Sequence, residues 1–536
     1  MGKIAVELQS HAALLKYLGL GKAEYIFLKR YVAYRYSAVA VPKRRGGSRT
    51  LLIPEPRLKY LQRKLYALLQ SVYVRRAPVH GFVADRSAIT NANQHQARPF
   101  LLNLDLENYF GSITTNRVRG LLTAISLPQL NADLIATLCT TANQLPQGAP
   151  TSPILANMVT HRLDKELMAF AARHRLRYTR YADDLSFSSY VQPTALFADA
   201  IPLPGRIAVS ELSVELQSLI LGNGFRINPG KVWFADKRTR KEVTGLIVNE
   251  FTNIRRTHVR SIRAGLHRLD TLGVSAALSA YEPRPGNKGT FDQVLRGQLE
   301  WLAQVRGRSF SAYRTLAKRY NTHFPGTPLP IDPTHEEIAR DAVFVVDWES
   351  PDGSDCGQGT AFFLAGSGLV TAEHVVSGLA GGKAEIYRPH KPTLKYSATL
   401  SPVYSAHADL ALLDHDVPVS EQAWLEASLG GERAGEPIKA LGFPDYAPGD
   451  ELSVREGKIV GRSTKSAVRM VEVDAILPDG MSGGPIVNSR YQVLAVIKKG
   501  GPLEHRQLGV DLTELAKLID ASKTASAVAP PPSSSP

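Results

Sequence analysis

The sequence predicts two folded units of different class, an α+β unit followed by an all-β unit. Three observations carry this. Residues 1–330 hold 46 Lys+Arg against 21 Asp+Glu, a balance of +25, whereas the remainder hold 18 against 28, a balance of −10. At the junction, Phe324 to Pro333 places four prolines in ten residues, the composition of a stiff linker. Before that stretch the apolar pattern mixes helical and strand periods. Beyond it come short apolar runs separated by glycine turns, which is all-β patterning.

Length and composition set bounds. A chain of 536 residues has room for three or four domain-sized units. Its two cysteines, Cys139 and Cys356, exclude a disulfide framework and a zinc cluster and suit a reducing cytoplasm. The start, Met1-Gly-Lys-Ile-Ala-Val-Glu-Leu, lacks the apolar core of a signal peptide. No stretch approaches the roughly 18 apolar residues of a membrane span. A basic first half reads as binding nucleic acid through phosphates, and an acidic second half as taking a different substrate.

Residues 1–40 show mixed helical periodicity, marked by Leu14, Leu15, Leu18 and Leu20, and point to no function. Val41 to Pro54 reads as strand, basic Gly-Gly turn, strand, with Lys43 and Arg49 among its cations. An amphipathic helix follows, with Leu58, Leu61, Leu65, Leu68 and Leu69 inward. In the next segment Asn91 and His95 offer groups that can bond RNA edges and 2′-hydroxyls, with helix capping and a surface histidine as the plain alternative.

Leu101 to Leu106 is an apolar strand with Asp105 near its end. Tyr178 to Ser188 alternates apolar and polar residues on either side of Asp183 and Asp184, a β-hairpin with the two carboxylates at its tip. Carboxylates about 5 Å apart repel by roughly 3 kcal/mol at an effective dielectric of 20. A plain turn would use Asn-Gly or Asp-Gly, so a divalent cation is the reason to hold two anions together, and hard oxygen donors suit Mg²⁺. One strand-end Asp plus an Asp-Asp hairpin is the donor set of two-metal phosphoryl transfer. Between them, Leu145 to Asn157 forms a Pro/Gly loop, containing Gln147 and Gly148, whose backbone can press against a nucleotide.

These pieces in this order resemble the palm of a reverse transcriptase. The run is Asp105, then Gln147-Gly148-Ala149-Pro150-Thr151-Ser152-Pro153, then Tyr181-Ala182-Asp183-Asp184. Asn91-Ala92-Asn93-Gln94-His95 and Val243-Thr244-Gly245 resemble signatures of the bacterial retron enzymes. The resemblance covers about the first 320 residues. It implies a right-handed polymerase over residues 1–323, with fingers and palm to about 250 and a thumb over 251–323. It implies two Mg²⁺, with Mn²⁺ as an alternative, on Asp105, Asp183, Asp184 and the Leu106 carbonyl. It implies Lys43, Arg49, Gln147, Gly148 and Lys231 at the incoming nucleotide, and Phe110 as an aromatic gate against a ribose 2′-hydroxyl. Tyr109 leaves that gate uncertain by one residue. Asn91, His95, Val243, Thr244 and Gly245 would contact RNA. Arginines from Arg255 to Arg319, interleaved with Trp301, Tyr313 and Tyr320, would grip a duplex.

After the linker, taken as 324–335, a second chemistry reads from the residues. Gly368 to Val376 is a strand leading to His374, Asp409 opens a strand, and Pro478 to Val487 is a glycine turn holding Ser482. Serine needs an imidazole to take its proton and a carboxylate to orient that imidazole. Gly480 permits a turn whose N–H, with that of Ser482, can form an oxyanion hole. The order His…Asp…Ser is that of the chymotrypsin group. Residues 336–522 resemble trypsin-like and HtrA-like serine proteases, which implies an all-β double barrel. Met481 stands where clip-activated enzymes carry Asp, which argues against activation by cutting the linker. Ile476, six residues before Ser482, supplies no acid for a basic side chain in the specificity pocket, so cleavage after small or apolar residues is expected. The Pro/Ser-rich end, from Ala521 with the tail proper at 523–536, reads as disordered.

The whole implies a bacterial retron polymerase working on dNTPs and a structured noncoding RNA. It would carry the RNA–DNA hybrid as product, and a protease acting on an unidentified protein, without a membrane. The alternatives are a protease fold serving as a scaffold and a viral replicase–protease fragment.

Overall fold

The computed structural model describes residues 6–42, 47–282, 289–350, 353, 355–379, 381–498 and 506–528. It separates into two compact units, Met1–Ile331 and Asp332–Pro536. The division falls inside the proline-rich stretch. That stretch is not free-standing up to Ile331: Leu329 is buried, the Tyr313 hydroxyl donates to the Pro330 carbonyl at 2.7 Å, and Asn321 bonds both backbone groups of Leu329.

In the first unit, β1 (Tyr36–Pro42) and β2 (Ser48–Pro54) pair antiparallel as the predicted hairpin. Its turn residues, including Lys43, lie outside the described residues. Helix Pro56–Val72 starts with proline at its first turn, where a missing N–H costs nothing, and buries all five predicted leucines. The central sheet is built from β3 (Phe100–Asp105), β4 (Arg177–Tyr181), β5 (Asp184–Ser189), β6 (Gly205–Arg206) and β7 (Trp233–Ala235), in the order β4-β5-β3-β7-β6. A short pair, β8 (Glu242–Val243) and β9 (Leu246–Ile247), stands beside it. Helices Arg256–Leu272, Phe291–Arg306 and Ser311–His323 then pack around Ile262, Leu266, Leu299 and Leu316.

The polar residues of the alternating β4–β5 hairpin are buried: Thr179, Ser186 and Ser188 are at most 3% exposed. Helix Ala88–Asn93, capped by Ser87, and the turn after it cover that face, and His95 bonds two of the three hydroxyls. Tyr313 and Tyr320 also differ from expectation. Both lie in the helical core, while Arg256, Arg260 and Arg263 form an exposed basic stripe along one helix.

The second unit opens with helix His335–Ala342 and holds two closed six-stranded antiparallel barrels. One is made of β10 (Val343–Glu349), β11 (Cys356–Leu364), β12 (Gly368–Thr371), β13 (Ala384–Tyr387), β14 (Lys395–Ser405) and β15 (Leu410–His415). The other is made of β16 (Pro437–Gly442), β17 (Ser453–Lys465), β18 (Val468–Val473), β19 (Pro485–Asn488), β20 (Val493–Ile497) and β21 (Gln507–Asp511). Closure removes sheet edges, so short Val/Ile-rich strands pair completely. One apolar cluster, including Val343, Phe362, Leu441 and Val510, spans both barrels. Helix Leu512–Val528 follows, so the chain stays helical past Ala521, where the composition suggested disorder. Residues 529–536 lie outside the described residues.

Candidate active sites

The β3–β5 register puts Asp105 directly opposite Asp184, and the Leu106 N–H donates to the Asp183 carbonyl at 2.9 Å. Directly opposed residues in an antiparallel pair carry Cβ atoms about 5 Å apart on one face. The turn itself is Ala182-Asp183, with Asp184 the first residue of β5 and Ala182 at φ 58°. A positive φ at the first turn position is what a type II′ hairpin requires, and a non-glycine residue there must be held by its surroundings. Gly81 packs so closely that a Cβ would collide with the Ala182 amide. The Arg180 guanidinium donates to the Ala182 carbonyl at 3.1 Å and to the Tyr109 hydroxyl at 3.0 Å, and forks onto Asp164 at 2.8 and 2.7 Å, wholly buried.

Asn228 donates from its backbone to the Asp105 carbonyl and from its side chain to Asp105 Oδ1, at 2.8 and 3.1 Å. Burial and the negative charge of Asp105 push the Asp183 carboxyl up. Loss of solvation together with the charges of Asp183 and Asp105 pushes Asp184 up to about 7. Since the Asp184 side chain is itself open to solvent, its like-charged neighbours carry much of that shift. Burial works against the Lys231 ammonium, but its bond to Asp105 and the three carboxylates around it hold its pKa above the ordinary value.

Asp105 and Asp183 open onto a cleft of about 830 Å³, and Asp184 does not line it. Its walls include Arg49, Asp105, Leu106, Phe110, Gln147, Gly148, Asp183 and Lys231, eight of the predicted residues. Gly148, at φ 119°, lets its backbone lie against β2, where Leu52 N–H donates to the Gln147 carbonyl at 2.7 Å. Phe110 lines the cleft beside Phe82, ring centroids 6.1 Å apart, whereas Tyr109 is 3% exposed and bound to Arg180. Both aromatics border the cleft, Phe110 the more exposed of the two.

Fit to a divalent cation rests on this donor set. Three carboxylates and a backbone carbonyl supply hard oxygens, and the raised carboxyls mark an excess of negative charge. Among the described residues no three acidic, histidine or cysteine side chains stand closed around one point. Lys231 occupies Asp105 instead.

The predicted RNA-contacting residues are placed differently. Asn91 and His95 are 1% exposed, and His95 bonds Ser188 and Thr179 at 2.6 and 2.7 Å, so neither side chain reaches a surface. Burial lowers the His95 pKa to about 3, which keeps the ring neutral. Val243 is buried, and the Thr244 hydroxyl donates to the Ala88 carbonyl at 2.9 Å. The two signature segments therefore brace each other and the hairpin; only Gly245 opens onto a groove, beside Arg255, His258 and Trp301.

In the second unit, Asp409 sits on His374, its oxygens 2.8 and 2.9 Å from Nδ1, and also accepts the His374 backbone N–H at 3.1 Å. This leaves Nε2 to take a proton. Ser482 is 6% exposed. The following Gly483 packs against Ala372 N, two residues before the histidine. Among the described residues, no hydrogen bond joins Ser482 Oγ to His374. Such bonds are often long in the absence of substrate.

The serine turn is pinned across the barrels by Thr360. Its N–H donates to the Ser482 carbonyl at 2.9 Å, its hydroxyl donates to the Gly480 carbonyl at 2.8 Å, and it accepts the Phe443 N–H at 3.1 Å. The Asp479 carbonyl accepts from the Asp445 N–H at 3.1 Å. In a trans peptide the next N–H points the opposite way, so Gly480 N–H faces away from that bond. Among the described residues, the Gly480 and Ser482 amides have no acceptor in the chain, the state an oxyanion hole needs. Met481 is fully buried in an apolar cluster and makes no use of a charged partner. Ile476 is 72% exposed, so its side chain is not a buried pocket floor.

Sequence reading passed over Arg180, Asn228, Phe82 and Thr360. Asn228, before Pro-Gly, carried a turn signal. Arg180 and Thr360 carried none, because a lone Arg or Thr in a strand looks like a surface residue.

The fold and its two sites define a polymerase of the reverse-transcriptase class joined to a trypsin-like peptidase domain. The family described as reverse transcriptase (RNA-dependent DNA polymerase) matches residues 41–248, and the trypsin-like peptidase domain matches residues 359–496. The retron Mx162 reverse transcriptase of Myxococcus xanthus is 35% identical over 58% of this chain and 67% of its own length. The retron Ec86 reverse transcriptase of Escherichia coli is 32% identical over 55% of this chain and 84% of its own. A serine endoprotease from Yersinia pestis aligns at 19% identity and a TM-score of 0.29, over 36% of this chain and 67% of that one. The chain belongs to the retron reverse transcriptases, and it carries a trypsin-like peptidase domain in addition.

Proposed function

We propose that the first unit copies a structured noncoding RNA into branched, multicopy single-stranded DNA, priming from an RNA 2′-hydroxyl, and that the second is a serine protease serving as an antiphage effector. The observation that supports the polymerase reading is that Asp105, set opposite Asp184 by the strand register, lines with Asp183 a cleft that also holds Arg49, Phe110, Gln147 and Lys231. Asp105, Asp183, Asp184 and the Leu106 carbonyl would hold two divalent ions, Mg²⁺ with Mn²⁺ as the alternative, which would supply Lewis-acid activation of the primer hydroxyl and charge stabilisation for the leaving pyrophosphate. Arg49 and Lys231, with Lys43, take the triphosphate. Gln147 and Gly148 present backbone to the nucleotide, and Phe110 blocks a 2′-hydroxyl. Asn91, His95, Val243 and Thr244 act on RNA through the shape of the surface they brace, and Gly245 from its groove.

In the protease, His374 Nε2 takes the Ser482 Oγ proton as Oγ attacks the scissile carbonyl. The Gly480 and Ser482 amides receive the oxyanion, and the imidazolium returns the proton to the leaving amine. Incorporation of dNTPs rather than NTPs on a primed RNA, with sequencing of nucleic acid that copurifies with the chain, tests the first half. The missing Ser482–His374 bond favours a second reading, a peptidase fold used as a scaffold. Fluorophosphonate labelling that is lost in Ser482→Ala excludes it; no labelling even with the RNA–DNA product bound supports it.

A further inference from the structure

The barrel of β10 to β15 holds an indole that the triad chemistry does not use. Trp348, in β10, is buried, and its Nε1–H donates to the Val375 carbonyl at 2.8 Å. Val375 follows His374 in the single-turn helix Glu373–Val376. One turn of helix does not hold itself, because the bonds it closes do not repay the dihedrals it fixes and its last carbonyls have no partner within it. Two of those carbonyls are met from outside the turn. The exposed Ser377 hydroxyl donates to that of His374 at 3.3 Å, and the buried indole takes that of Val375.

Three glycines make room for this arrangement. The β10–β11 register sets Gly357 opposite Trp348, and a Cβ there would collide with the Nε1 side of the indole. A Cβ on Gly378 would collide with the far edge of the six-membered ring. A Cβ on Gly359 would collide with the Val375 methyl groups. An ordinary core tryptophan needs only some buried acceptor for its N–H. Here strand and turn are both stripped of side chains so that this ring reaches this carbonyl. Asp409 holds His374 by its N–H and by Nδ1, and Trp348 holds the next residue by its carbonyl. Anchors on two consecutive residues set the place and the rotation of the turn, and with them the direction of Nε2. A shift of about 1 Å at that nitrogen is enough to slow proton transfer.

We infer that Trp348 is a positioning residue of the protease, which through the Val375 carbonyl keeps the His374 turn where Nε2 serves Ser482. The inference rests on the protease reading, so one of its two readouts needs no activity. On the full chain, fluorophosphonate labelling is followed against probe concentration, and amide exchange of a peptide spanning residues 373–376 is followed by mass spectrometry. Trp348→Phe keeps a ring and removes the N–H. It lowers the maximal labelling rate about tenfold or more and leaves the half-saturating probe concentration unchanged. It also speeds exchange in that peptide about tenfold, while β16 and β19 exchange as in the wild type. Gly378→Ala, which drives a methyl group into the indole, does the same. Added to Trp348→Phe, whose smaller ring vacates that space, it slows labelling no further; additive loss overturns the proposal. Wild-type exchange in the peptide overturns it, and so does exchange raised equally in β16 and β19, the mark of a merely structural role. Faster exchange with labelling at the wild-type rate overturns it too. Wild-type chain that does not label counts against the protease reading, while exchange still decides whether Trp348 holds the turn.

Discussion

Lys231 Nζ lies 2.5 Å from Asp105 Oδ2, so an ammonium rests on the carboxylate that the β3–β5 register sets opposite Asp184. The three aspartates hold more negative charge than they can stabilise alone, and Lys231 offsets part of it. Replacing Lys231 by Ala should raise the KM for dNTP about tenfold, by removing one cation from the triphosphate site. Chelation of divalent cations should abolish DNA synthesis reversibly, while fluorophosphonate labelling of the second unit persists.

Phe110 and Tyr109 are adjacent in sequence and opposite in surroundings. Phe110→Ala should raise ribonucleotide incorporation about tenfold or more relative to dNTP, measured by competitive primer extension. Tyr109→Phe, which removes the hydroxyl bonded to Arg180 and Thr160 but keeps the ring, should leave that ratio unchanged.

Arg180 and Asp164 form a buried fork that also fixes the hairpin tip. Removing one partner strands a buried charge. Arg180→Met should therefore destabilise the first unit by about 3–5 kcal/mol, visible as a lowered denaturant midpoint.

Thr360 holds three backbone groups of the serine turn and its neighbour. Thr360→Val keeps its shape but not its hydroxyl. Fluorophosphonate labelling should slow about tenfold with little change in melting temperature, and Thr360→Ser should restore it. Equal loss of labelling and stability would mean a merely structural role.

His95 gives a pH dependence. Its folded-state pKa, about 3, lies below the unfolded value of about 6.5. The unfolded chain therefore binds the extra proton first as pH falls. Stability is fully present above about 6.5 and declines toward 3, by up to about 1.4 kcal/mol per pH unit for this one group. His95→Asn should flatten the acid limb of stability against pH, measured by denaturant titration.

Chemistry was more legible than burial. Asp105, Asp183, Asp184, His374, Asp409 and Ser482 stood out because few structural reasons exist for those residues in those contexts; the strand register sets Asp105 opposite Asp184, and Asp409 bonds His374. Asn91 and His95 were legible as a motif but not as buried groups, because periodicity does not tell a polar residue facing water from one facing another polar residue. The same ambiguity hid Thr179, Ser186 and Ser188 in a face covered by a short helix. It also offered Tyr313 and Tyr320 as surface rings when they are core. Arg180 was invisible because its partner, Asp164, lies on a helix that the strand pattern does not mention.

The account turns on the three aspartates of one unit and the serine of the other serving separate reactions. The most direct test is dNTP incorporation on a primed RNA by the wild-type chain, Asp184→Asn and Ser482→Ala, with fluorophosphonate labelling of the same samples. Asp184→Asn should lose incorporation by more than a thousandfold, roughly the 4 kcal/mol that one charge-stabilising group supplies, while keeping its labelling, and Ser482→Ala should show the reverse. Incorporation that survives Asp184→Asn, or that prefers NTPs to dNTPs, would contradict the account.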